Sequence, residues 1–291
     1  ARAEEDLLSA YDLIGDYKRN AKHKLDKNVV AGILARLYQL KGNDWALAQK
    51  YAEEAQKTYA WMSKNDYLSG FNARTNSEWV WGHGQTPEQS TASYNFHYLD
   101  VSSSASYYYS FMADPFFQEL FDKNDIRSQL FEWDATRYKG GLMYKKFKIK
   151  ADETGDIVLM RKAESVLIEA EAFAELEQKD KAIAKLNELR EARGADTPDL
   201  STLSSSKLVD EILIERRKEL FGEGFGLYDL KRRQLSVERK AVADEYIPNS
   251  TEIKKKGHTI FRFSDGKDFT ANSAYYNFMA PALETDNNPN F

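Results

Sequence analysis

Cysteine is absent from all 291 residues, which excludes disulfides, thiolate zinc sites and cysteine nucleophiles. It leaves the compartment open, because many periplasmic and surface proteins also lack cysteine. Histidine is scarce: His23, His83, His97 and His258 show no HExxH spacing, and each reads first as a hydrogen-bonded structural side chain. No run of 18 apolar residues occurs, so no segment reads as a membrane-spanning helix. Basic charge is not in excess either. With 41 Lys and Arg against 46 Asp and Glu, the net charge is −5, and the basic face of a nucleic-acid binder is not expected.

Catalytic and cofactor signals are equally thin. Ser204 to Lys207 matches S-x-x-K, but the accompanying SDN and KTG elements are missing and a helix cap explains the serines. Gly222-x-Gly-x-Gly226 is not GxGxxG and ends a helix, so nucleotide binding is rejected. Asp122, Asn124 and Asp125 lack EF-hand spacing and read as a turn. Glu78 and Asp100 are the carboxylates that a glycosidase reading would call on, but spacing along a chain does not give their separation. The chain reads as non-enzymatic, with no cofactor and no metal.

What is present is helical periodicity and an unusual supply of rings. Val30, Ile33, Leu34, Leu37 and Tyr38 follow i, i+3, i+4, i+7, i+8. Lys41 to Asp44 makes a turn, and Ala48, Tyr51, Ala52, Ala55 and Tyr59 form a second face. Small alanines at facing positions let two helices approach closely. A second pair spans about Arg161 to Gly194, with Val166, Ala170, Phe173 and Ala174 facing Ala182, Ile183, Leu186 and Leu189 across a turn at Gln178. Both fit the tetratricopeptide unit of about 34 residues, but over a hundred residues separate them, so an excursion must intervene. A third helix, about Lys207 to Phe221, is expected to be capped by Ser204 to Ser206 and to pack on the second pair.

Residues 67–110 depart from this pattern. They hold ten of the 17 Tyr, 16 Phe and 5 Trp of the chain but only four charges, Arg74, Glu78, Glu88 and Asp100. Glu78 to Gly82 reads as a strand whose alternation sends Trp79 and Trp81 to one face, and Tyr144 to Ile149 reads as another. Rigid rings offer large contact area at small entropic cost, and the flat C–H face of a sugar packs on them while its hydroxyls need amide and carboxylate partners. The candidate ligand-binding residues are therefore Trp81, Tyr94, Phe96, Tyr98, Tyr108 and Trp133, with Asn95 and Asp100 as polar partners. Core packing competes with ligand contact for every one of these rings. Low charge favours a neutral ligand.

The stretch from Glu215 to Arg233, ERRKELFGEGFGLYDLKRR, joins a charged amphipathic helix to glycines and then to an aromatic, acidic and basic run. It resembles the C-terminal signature of the SusD/RagB family, outer-membrane lipoproteins that capture nutrients for a TonB-dependent transporter. The first helix pair, the Glu78 strand, the Asp125-Ile-Arg127 turn and the Asn/Pro-rich tail extend the likeness over the whole chain. The resemblance implies a mainly α fold: tetratricopeptide-like helix pairs carrying an irregular, aromatic-rich insertion. One SusD-like domain is then expected, with helical parts at 1–62 and 151–235, a ligand-binding insertion at 63–150 and an irregular C-terminal region at 236–291. It further implies an oligosaccharide ligand, a SusC-like transporter partner, and a cell-surface location through an N-terminal lipid anchor outside this chain. Family members are usually longer, and Ala1 to Leu8 already reads as helix interior, so an N-terminal part is expected to precede it. Binding loops in the family vary with the ligand, so no motif residue transfers position by position. A RagB-like peptide binder of the same fold and a tetratricopeptide-type adaptor are the alternatives.

Overall fold

The computed structural model describes residues 2–86, 88, 100–101, 112–134, 141–152, 154–241 and 256–288. Helix α1 (Arg2–Leu13) leans on α2 (Lys27–Lys41), which pairs with α3 (Trp45–Gln56). Asp26 caps α2 by accepting the Val29 amide, and Asp44 caps α3 through Leu47, each at 3.1 Å. Ala48, Ala52 and Ala55 pack without exposed surface against Ala31, Leu34, Ala35 and Tyr38, the close approach that small side chains permit. After the short helix α4 (Lys64–Leu68) come, among the described residues, the strands β1 (Trp79–His83), β2 (Phe131–Trp133), β3 (Leu142–Tyr144) and β4 (Ile157–Arg161). β1 pairs antiparallel with β4, and β2 with β3.

β4 runs directly into α5 (Lys162–Glu175), followed by α6 (Lys179–Arg193), α7 (Ser205–Glu219) and α8 (Gly226–Arg232). Helix α5 is the centre of the molecule, with 12 of its 14 residues buried. Ile168 and Ala172 face α2 and α3, while Ala163, Val166, Leu167 and Ala170 face α6 and α7. The two helix pairs therefore stack side by side through α5, although the aromatic region separates them in sequence. Ser204 accepts the Lys207 amide at 3.3 Å and starts α7, as expected.

Four local expectations change. A bulge between Trp79 and Trp81 breaks the strand alternation. Trp79 is buried in the aromatic cluster with Tyr67, Phe71 and Phe117, while Trp81 turns to Val29, Val80 and Met160. The strand expected from Tyr144 to Ile149 ends at Tyr144, because the Lys146 ammonium is drawn inward to the carbonyls of Glu219 (2.8 Å) and Phe221 (3.1 Å). Gly222 and Gly224 terminate α7 with φ of 76° and 89°, but Gly226 begins α8 instead of ending α7. Of the tail 286–291, expected to be extended or loose, Asp286 and Asn287 instead close helix α9 (Ala282–Asn287), and 289–291 lie outside the described residues.

Candidate functional site

Beneath the aromatic region lies a frame of buried charge. Glu219, at the end of α7, accepts from three arginines: Arg127 (2.9 Å), Arg161 (2.6 Å) and Arg193 (2.9 Å). Glu78, immediately before β1, accepts from Arg161 (2.8 Å) and Arg193 (2.8 Å) and from the Met62 amide. Arg127 also grips Asp125 and Glu215, and Glu223 holds Arg161 and Lys146. The side chains of Glu78, Asp125, Arg127, Lys146, Arg161, Arg193, Glu215 and Glu219 are all without exposed surface. Ions removed from water persist only where partners satisfy them, and each charge of this set meets opposite charge, although Arg193 Nη1 is buried without a hydrogen-bond partner. Burial opposes the charged form of Arg161, but Glu223 and Glu219 outweigh it and hold the proton more firmly than usual. Burial likewise pushes Lys146 down to about 8 despite Glu223. The frame ties β1, the Asp125 turn, β4, α6 and α7 to one another, and so fixes where the aromatic region leaves the helices.

The exits of that region are also anchored. Asp156 accepts the Arg74 amide at 2.8 Å and the Gln85 amide at 3.2 Å. Asp100 is buried, and its carboxylate accepts the Ile149 amide at 2.9 Å. Lys150, the next residue, lies 3.9 Å from Asp156. Gln85 and Asp100 are thus joined through Asp156, Lys150 and Ile149, and the segment between them is rooted on one polar cluster. Two further backbone bonds close the roots at Ala113–Leu142 (2.8 Å) and Asp134–Gly141 (2.9 Å).

Of the candidate residues, Tyr94, Asn95, Phe96, Tyr98 and Tyr108 lie outside the described residues. Trp81 is half-buried; its ring packs beside Val80 and Met160, and its indole N–H donates to the His23 carbonyl at 3.3 Å. Trp133 is half-buried at the end of β2 against the aromatic cluster. Many of the remaining rings serve packing: Phe117 meets Phe121, Phe131, Tyr144 and Phe221 at centroid distances of 5.1–5.8 Å. Glu78 and Asp100, the carboxylates considered for glycosidase work, are engaged by arginines and by a backbone amide respectively. Among the described residues no group of three His, Cys, Asp or Glu converges as a metal site. The charged frame itself was missed as a unit from sequence. Its members are scattered from Glu78 to Glu223, and only the density of charge in the Glu215 segment hinted at it.

A groove of about 420 Å³ opens between α5 and α7, with Glu175, Glu177, Asp210 and Arg233 around Val209 and Leu213. Its acids are already engaged: Glu175 with Arg233 (2.6 Å), Glu177 with the Ser205 hydroxyl, and Asp210 with Lys207 (2.9 Å). The groove therefore presents paired charge and not a set of waiting donors or acceptors.

The model of the SusD family matches residues 20–291. The chain belongs to the SusD family. A SusD-like carbohydrate binding protein from Bacteroides vulgatus has the same fold at a TM-score of 0.84 and 41% identity, over 97% of this chain and 62% of that one. SusD-like protein P38 of Formosa agariphila is 39% identical over 94 residues, 30% of this chain and 18% of that protein. A SusD superfamily protein from Bacteroides thetaiotaomicron, 22% identical with a TM-score of 0.65 over 88% of this chain and 61% of the other, shares the fold. This SusD family chain thus spans less than two thirds of the length of these relatives. No helix among its described residues is long and apolar enough to cross a membrane. The Glu215 to Arg233 signature is, in this SusD family chain, the segment that supplies Glu215, Glu219 and Glu223 to the buried frame.

Proposed function

We propose that this chain is the ligand-capturing body of a cell-surface SusD family protein that binds a neutral oligosaccharide and passes it to a TonB-dependent transporter without covalent chemistry. The observation that carries the reading is the 41% identity, over 97% of this chain, to a carbohydrate binding protein. The internal architecture agrees: rigid, charge-locked helices hold a segment that is rich in rings, poor in charge and rooted on the Asp156 cluster. Within that segment and beside it, Trp81, Tyr94, Phe96, Tyr98, Tyr108 and Trp133 are the proposed platforms and Asn95 a hydroxyl partner. Asp100, buried and accepting the Ile149 amide, is proposed to anchor the end of that segment.

Affinity electrophoresis against a panel of neutral polysaccharides, with released reducing sugar assayed in the same mixtures, tests this. Retardation without sugar release is expected, and single replacement of Trp81 or Trp133 by alanine should weaken it by roughly 1–3 kcal/mol where the ring stacks on ligand. Release of sugar would make the protein an enzyme. Neither retardation nor release would move the cargo to peptide or to a protein partner.

A further inference from the structure

The C-terminal region holds a second group of rings that the 67–110 stretch does not account for. Phe263 is its hub: it stacks on Tyr275 (centroids 4.5 Å, planes 21° apart) and meets Phe269 edge-on at 4.9 Å. Tyr276 also approaches Phe263, at 6.3 Å, and is buried with its hydroxyl accepting the Val237 amide at 3.1 Å. Arg239 lies 5.2 Å over Phe269, so the group is tied at two points to the segment that follows α8. Tyr275 behaves differently from its neighbours, for 49% of it remains exposed. One of its faces is covered by Phe263, so the exposed surface is the opposite face and the rim.

That ring is held still. Its amide donates to the Ser273 hydroxyl at 3.3 Å at the start of a short 3-10 turn, Ala274–Tyr276. The Asp265 carboxylate beside it makes the Tyr275 hydroxyl hold its proton more firmly than usual, and Asp265 accepts the Lys267 amide (3.0 Å) and pairs with the Lys267 ammonium (3.0 Å). Exposed amides flank the turn at Asn272 and Asn277. A surface tyrosine normally surrenders rotamer freedom when a ligand arrives. Here the Phe263 stack and the Ser273-anchored backbone turn already limit it, leaving a flat apolar face with the Asp265 carboxylate and Lys267 ammonium nearby and exposed amides at Asn272 and Asn277 on either side of the turn in sequence. Pre-organisation of this kind lowers the cost of binding, and the mixture of one ring face with short polar groups at its edge matches a pyranose. A pyranose has an apolar C–H face bordered by hydroxyls.

We propose that Tyr275, backed by Phe263, with Asp265 and Lys267 beside it and Asn272 and Asn277 flanking its turn, is a carbohydrate-stacking subsite built from residues outside the 67–110 segment. The assignment rests on the glycan reading above. It gives the protein two contact points for one long chain, and hence a preference for polysaccharide over short oligosaccharide by effective concentration.

The test uses the 291-residue chain and whichever neutral polysaccharide retards it. Tyr275→Ala should weaken apparent affinity about tenfold, within the range for losing one stacking ring, while Tyr275→Phe keeps the face and stays within about twofold. Tyrosine nitration of the wild-type chain, read by mass spectrometry with and without the polysaccharide, covers the case in which Tyr275→Ala unfolds. Protection of Tyr275 by polysaccharide supports the subsite. Wild-type binding with unchanged Tyr275→Ala affinity, or with Tyr275 nitrated equally in both conditions, overturns the subsite alone. A wild-type chain that no polysaccharide retards overturns the glycan reading and this subsite together.

Discussion

Replacing Glu219 by glutamine keeps the shape of the side chain and removes one charge from the centre of the frame. In the native protein this carboxylate faces Arg127, Arg161 and Arg193, none of which has exposed surface. Burial works against its ionised form, yet Arg193, Arg161 and Arg127 together hold it well below the ordinary carboxylate range. With glutamine there, three buried guanidiniums share the remaining acids, Glu78, Asp125, Glu215 and Glu223. Breaking a buried ion pair from one side costs about 3–5 kcal/mol, because the surviving charge stays desolvated. A kcal/mol moves the melting temperature of a domain of this size by about 2–4 °C, so Glu219→Gln should melt roughly 10 °C lower. Glu54→Gln removes an acid from the exposed Lys57–Glu54 pair and provides the control, since such a pair contributes below about 1 kcal/mol. A double variant sharpens the test. Arg193→Met removes the cation that donates to Glu78 and Glu219 and lies over the Trp61 and Tyr67 rings, and Glu78 keeps Arg161. The pair Glu219→Gln with Arg193→Met should therefore be more stable than the sum of the single changes by at least about 1 kcal/mol. Calorimetric melting of the four proteins decides it. A Glu219→Gln melting point within about 2 °C of wild type would show that the frame is not what holds the helices to the strands.

Two further outcomes follow from the same geometry. Burial pushes the Glu171 carboxyl up, but Arg232 and Arg233 more than offset it and hold it at about 2, below its ordinary 4.5. A depressed carboxylate contributes fully above pH 4.5 and loses its contribution as pH falls towards 2, here about 3 kcal/mol from the size of the shift. The melting-point deficit of Glu171→Gln should accordingly shrink on acidification from pH 6 to pH 3, and a constant deficit would contradict the assignment. At the turn after α7, a Cβ added to Gly222 would lie 2.6 Å from the Phe147 ring, whereas one added to Gly224 meets nothing within 4 Å. Both have φ in the left-handed region, so both alanines carry a backbone cost of about 1–2 kcal/mol. Gly222→Ala should cost about 1–3 kcal/mol more than Gly224→Ala by urea denaturation, and equal costs would mean the ring moves aside freely.

The helices were legible because their information is local. Ala48, Ala52 and Ala55 announce a close helix pair by spacing alone, and Ser204 announces where α7 starts, whereas the caps at Asp26 and Asp44 emerge from the structure. The burial of the α7 stripe at Leu208 and Ile212 follows from the same period. What escaped was set by partners far away in the chain. Trp79 and Trp81 alternate in sequence, but the bulge that separates them depends on pairing with β4 some 80 residues later. Lys146 ends a strand because its ammonium finds carbonyls at Glu219 and Phe221, and nothing near Lys146 in the sequence says so. Glu78 looks like any acid before a strand until Arg161 and Arg193 arrive on either side of it. The candidate site divides along the same line. Ring density and low charge mark residues 67–110 from composition alone, while the choice between core ring and exposed ring is made by the tertiary packing. Phe117 and Tyr144 were taken into the core, and Tyr275 was left half outside although its neighbour Tyr276 is buried. Tyr275 is therefore a ring whose back is packed and which keeps exposed surface. That distinction belongs to the fold, and it is why Tyr275 stands out only once Phe263 is seen behind it.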